Sequence, residues 1–140
     1  MIKLKNFVYC NNVERNQIPN GGESLNAMGI VSALIPEFIP GSFSFSIVFS
    51  ILGVDVTKSN SIQIVFAQKD NNKTLVDTGT ISIPPTTRDE HVLIPDDYFG
   101  FNMSMDFRNV VFEEEGVYYT KSVFTGIDIG QSDIYAKSKR

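Results

Sequence analysis

With 140 residues, 42% hydrophobic and 20% charged, the chain is too apolar for a disordered polymer and long enough to bury one core without disulfides or metal. A formal net charge of -4 disfavours binding to nucleic-acid phosphates or anionic lipid. The excess is uneven: through Pro84 six acidic residues meet six basic ones, whereas from Pro85 onward there are ten and six.

Residues 4–10 predict a first strand, with Cys10 as a small buried hydrophobe inside it. As the only cysteine, it allows neither an intrachain disulfide nor a thiolate metal site. The first residues lack an apolar signal core and no run approaches about 18 apolar residues, so a cytoplasmic protein is expected. Residues 11–23 carry turn chemistry. Residues 25–34 predict a second, more buried strand, with Gly29 marking a bulge or a close backbone approach. Pro36, Pro40 and Gly41 then bracket a crossing loop.

The clearest pattern follows. Phe43, Phe45, Ile47, Phe49 and Ile51 occupy alternate places, with Ser42, Ser44, Ser46 and Ser50 between them. A side-chain period of two means a strand with one dry face. Burying those five side chains is worth roughly 10 kcal/mol as an upper bound. The serine face reads as thinly covered, which makes Ser44 and Ser46 candidate contact residues.

Ile62, Ile64 and Phe66 alternate again, and residues 70–73 form a tight hairpin connection. Residues 74–83 return as one partner strand that stops at Pro84 and Pro85. Residues 91–94 are a short apolar run and residues 95–100 a turn. Met103, Met105 and Phe107 alternate with polar neighbours until the phase slips near Asn109. Residues 117–124 and 127–136 predict the last two strands, with a candidate turn over residues 125–128. Eight or nine short strands, with no capped 3.6-residue period, predict an all-β fold: an antiparallel β-sandwich, immunoglobulin-like or C2-like, with little or no helix. It forms a single domain over residues 1–136, followed by a basic tail, residues 137–140, that is expected to fray.

Three segments carry a family resemblance. Residues 7–13 (Phe-Val-Tyr-Cys-Asn-Asn-Val) are similar to an opening strand with a polar exit, and residues 25–30 (Leu-Asn-Ala-Met-Gly-Ile) to the strand that follows it. Residues 115–118 (Glu-Gly-Val-Tyr), 123–126 (Val-Phe-Thr-Gly) and 134–136 (Ile-Tyr-Ala) resemble a closing hairpin. Together they resemble a group of small bacterial β-sandwich proteins classed as a domain of unknown function. The resemblance implies the fold and supplies no catalytic residue.

The search for chemistry is largely negative. His91, the only histidine, has no spacing to a nucleophile that supports a catalytic triad, and a strand-edge or surface position is expected for it. Asp96 and Asp97 with Glu113, Glu114 and Glu115 would suit calcium only if they shared one end of the sandwich, and solvated turns are the simpler reading. No phosphate-binding glycine loop occurs. Neither a catalytic residue nor a metal or cofactor is therefore expected. Tyr98, Phe99 and Phe101 form an aromatic cluster that reads either as an interface hot spot or as a plug for an open end of the sandwich.

The leading expectation is a non-enzymatic protein-interaction module of unidentified partner, self-association included, using an edge strand or the aromatic loop. The alternative is an acidic inhibitor encoded by a phage or mobile element, with Glu113, Glu114 and Glu115 occupying the basic groove of a nucleic-acid-handling enzyme. A carbohydrate-binding module comes third, with the absence of Trp against it. Direct nucleic-acid or membrane binding is not expected.

Overall fold

A computed structural model describes residues 1–17, 23–88 and 93–140. The described residues form ten strands: β1 (Lys3–Gln17), β2 (Glu23–Val31), β3 (Ala33–Leu34), β4 (Gly41–Leu52), β5 (Asn60–Gln68), β6 (Thr74–Asp77), β7 (Ile81–Ile83), β8 (Gly100–Phe112), β9 (Gly116–Phe124) and β10 (Ile127–Ala136). One turn of 3-10 helix, Asp96–Tyr98, precedes β8. The chain is thus a β-sandwich. One sheet runs β2-β1-β4-β8; the other runs β3-β10-β9-β5-β6, with β7 also paired to β5.

The alternating residues of β4 set the interior. Phe45, Ile47, Phe49 and Ile51 are fully buried, and they meet Ile62, Ile64 and Phe66 of β5 and Tyr118 and Phe124 of β9 from the opposite sheet. Phe45 and Phe66 approach to 5.1 Å between ring centroids, and Phe66 stacks on Tyr118 at 5.6 Å. Aromatic pairs at such spacings add to area burial, which is how a core rich in Phe and lacking Trp fills the space between the sheets.

Four expectations are corrected. The first strand continues to Gln17, because residues 11–17 pair with β2 in a hairpin whose register runs from Tyr9 opposite Val31 to Gln17 opposite Glu23. Its polar residues are exposed, so no alternation announces it. Residues 25–34 form two strands, since the chain crosses between sheets at Ser32. Once across, β3 pairs with β10 in parallel, so the sandwich is not wholly antiparallel. Residues 74–83 also divide: β6 and β7 lie end to end along β5, and between them the Thr78 hydroxyl accepts from the Ile64 amide at 3.0 Å.

The irregularities at Gly29 and Asn109 fall where expected. Gly29 has φ +69°, a left-handed conformation that favours glycine, and a Cβ there would lie 2.5 Å from the side-chain Nδ2 of Asn11, which would have to move. Asn109 has φ 54° and sits at a register shift between β4 and β8. Residues 137–140, expected to fray, are tied down instead. The Lys137 and Lys139 amides donate to the carbonyls of Leu34 (3.0 Å) and Pro36 (2.8 Å), and Arg140 pairs with Glu37 at 2.9 Å.

Candidate functional site

The serine face of β4 is internally satisfied. Ser46 is fully buried and donates to Asp106 Oδ1 at 2.6 Å, while Ser50 donates to Asn102 Oδ1 at 2.7 Å. Half-buried Ser44 accepts from the Asn109 amide at 2.9 Å, which fills the gap left by the bulge. The β1–β2 ribbon swings across this side. Arg15 Nη2 donates to Ser104 Oγ at 2.5 Å, β2 comes within contact distance of β8, and Cys10 is sealed, its thiol pKa raised chiefly by burial. Ser46 is therefore no contact residue: the ribbon and the Asp106 bond use it internally.

The aromatic loop divides. Tyr98 stands in solvent with 66% of its surface exposed. Phe99 lies under the Arg88 guanidinium, 4.2 Å from its carbon, and its carbonyl accepts from the Gly53 and Val54 amides. Phe101 packs on the core beside Phe124 at 6.4 Å. Phe99 and Phe101 are thus partly buried against the core, whereas Tyr98 is exposed. Arg88 is itself held by Asp96 Oδ1 and the Ile94 carbonyl, both at 2.5 Å.

Glu113, Glu114 and Glu115 are exposed, yet each is engaged. Glu113 pairs with Lys73 at 2.6 Å and holds the ammonium pKa above its usual value. Glu114 accepts from Gln68 Nε2 at 3.0 Å, and Glu115 accepts from the Ser138 amide and hydroxyl, which depress its pKa. Asp96 and Asp97 precede β8 whereas the glutamates follow it. A strand of that length separates the two groups by roughly 40 Å, which rules out a shared calcium site. Among the described residues no three acidic, His or Cys side chains group closely enough to hold a metal ion. His91 lies outside the described residues.

Two features were not read from the sequence. The first is a hydrogen-bonded link between the sheets: the Tyr9 hydroxyl shares a bond of 2.6 Å with Thr120 Oγ1 and donates to the Ser132 carbonyl at 3.0 Å. Burial pushes the Tyr9 pKa up to about 12. The second is a cleft of about 320 Å³ between β6 and β8, the last strands of the two sheets on that side. Leu75, Val76, Val110 and Tyr118 line it, with Val111 exposed at its rim and the Lys73–Glu113 ion pair closing one end. The one signal pointing there was the phase slip at Asn109, beside Val110.

No family model matches the chain, and no curated protein matches it. Among solved structures it is similar to part of the alkylpurine DNA glycosylase AlkC of Pseudomonas fluorescens, there bound to DNA containing an abasic site analog. That likeness has a TM-score of 0.52 and 6% identity, covering 97% of this chain and 30% of the glycosylase. Part of a β-glucosidase from Listeria innocua, in complex with glucose, aligns with a TM-score of 0.40 and 7% identity, over 94% of this chain and 16% of that one. The chain spans less than a third of either protein, and at such identities the likeness concerns the fold alone.

Proposed function

We propose that the chain is a non-enzymatic protein-interaction module, working in the cytoplasm, whose partner binds at the side of the sandwich where β6 and β8 end the two sheets. The observation that carries this reading is the β6–β8 cleft, a hollow of mixed lining in which Leu75, Val76 and Val110 lie beside Lys73, Arg108 and Glu113, flanked by two strand edges unpaired on their outer sides among the described residues. Unpaired edges are the commonest way a sheet recruits another chain. Tyr98, which is exposed, is a second, smaller contact. No helix among the described residues is long and apolar enough to cross a membrane. The resemblance to the bacterial β-sandwich group belongs to the same proposal.

The tagged chain is expected to retain a protein in stoichiometric amount from lysate of its source cells, and Val111→Lys to weaken that retention. Retention no better than by the tag alone sinks the reading.

A further inference from the structure

We propose that the β1–β2 ribbon carries a hinged lid: residues 11–17 and 24–28 close over the outer face of β4, and they swing away from it at Asn11 and Gly29 while the rest of the sandwich stays folded. Three observations place the hinge and the closure. First, among the described residues β1 follows β4 only as far as Cys10 opposite Ser46, although β4 runs on to Gly41 in that direction. At the same point the β1–β2 ladder is interrupted, since Cys10 pairs with Ile30 and Asn12 with Met28, but Asn11 and Gly29 are skipped. The left-handed φ of +69° at Gly29 bends the ribbon there, a conformation glycine adopts at little cost.

Second, the bent ribbon lies over the sheet it belongs to. Strands sit about 4.8 Å apart, so β2 and β8, three places apart in the order β2-β1-β4-β8, would be separated by about 14 Å in a flat sheet. Their Cα atoms instead come within 8 Å. Beyond the bend, Arg15 Nη2 donates to Ser104 Oγ of β8 at 2.5 Å, which fastens the ribbon across β4.

Third, what lies beneath is covered from outside. Tyr9 points between the sheets to Thr120, so Cys10, the next residue, points the other way. Cys10, Val13 and Ser46 are nevertheless buried, although Cys10 and Val13 do not belong to the core between the sheets. The cover is light. Of the lid residues only Val13 is buried, and Glu14, Arg15, Asn16 and Gln17 are exposed. Segments with few buried apolar contacts open at a lower free energy than the whole fold.

The test uses Cys10 as its reporter, since the single thiol is sealed while the lid is shut. Its labelling by the aromatic disulfide reagent DTNB is followed well below the urea midpoint, at reagent concentrations where the rate rises in proportion to reagent. In the wild type the logarithm of the rate is expected to rise with urea at less than half the slope of global unfolding. Ser104→Ala breaks the latch without changing any charge, and Gly29→Ala strains the bend. Each is expected to raise the rate about three- to tenfold, with the slope still shallow, the change that one hydrogen bond makes in such an equilibrium. In amide hydrogen exchange, residues 12–17 should open together with the thiol, and Val8 and Tyr9 should stay slower. Labelling at the full slope of global unfolding, labelling as fast as a small free thiol, or an unchanged rate in either variant would each overturn the lid. Opening of Val8 and Tyr9 along with residues 12–17 would do the same, because the hinge would then not lie at Asn11 and Gly29.

Discussion

Tyr9 and Ser122 show how much one buried hydroxyl depends on its partners. Tyr9 reaches from one sheet to Thr120 and Ser132 in the other, so Tyr9→Phe removes two bonds and strands the buried Thr120 hydroxyl. A loss of about 1–3 kcal/mol in urea unfolding is expected. A Tyr9→Phe, Thr120→Val double-mutant cycle should show coupling between the two positions. Ser122 is fully buried with no partner for its hydroxyl, so Ser122→Ala should be neutral or raise stability by up to about 1 kcal/mol. Thr120 and Ser122, neighbours on one face of β9, thus sit in hydroxyl environments that respond with opposite sign. Tyr9 also sets an alkaline limit. Its folded pKa of about 12 lies above the ordinary 10.0, so the unfolded chain releases the proton first. The fold's preference for the neutral ring is fully kept below pH 10 and fades between pH 10 and 12, by roughly 2–3 kcal/mol in all. Melting temperatures across that window should fall less in Tyr9→Phe than in the wild type.

At the level of elements, the structure turns a contact question into a stability question. Ser46→Lys places a charge where no surface is exposed and breaks the Asp106 bond, so a loss above about 3 kcal/mol is expected, read as a collapsed melting temperature. The β9–β10 hairpin offers the reverse. Its two central residues, Thr125 and Gly126, have φ of 49° and 78°, a pair of left-handed conformations that a β-branched threonine tolerates poorly. Thr125→Asn should stabilise the fold by about 1 kcal/mol, offset in part by the lost bond of 3.2 Å to Asn60. Legibility follows the same physics. The β4, β5 and β8 segments were readable because one face packs on the core, and a two-residue period survives there. Residues 11–17 were not, because Val13 is their one buried side chain and a single apolar residue makes no alternation to read. Ser32 and Thr78 to Thr80 divide apparent single strands at points where hydrogen bonding, invisible in the sequence, changes sheet or partner. The glutamates and aromatics were visible as candidates. That Phe99 and Phe101 point inward, that each glutamate has a partner, and that β6 and β8 face one another all depend on which strands lie side by side.

Across the whole molecule, the ionised groups favour neutral pH. Asp55, Asp77, Glu115 and Asp133 are held below their ordinary pKa values, mainly by hydrogen bonds from Thr57, Gln63, Ser138 and Lys69. Depressed carboxylates contribute stability above their unfolded pKa and lose it as pH falls through the folded value. Melting temperature should therefore be flat near neutrality and decline below about pH 4. All four groups are largely solvated, so the decline should be shallow and further reduced by salt. The Tyr9 link between the sheets also has a consequence in time. Thr120 follows Tyr9 by 111 residues. At about 5–20 residues per second a ribosome needs roughly 5–20 s to make that stretch. Throughout that interval the Tyr9 hydroxyl lacks its partners on β9 and β10, while β4 can already meet β5. The bond that ties the two sheets at Tyr9 therefore closes only once β9 has been made.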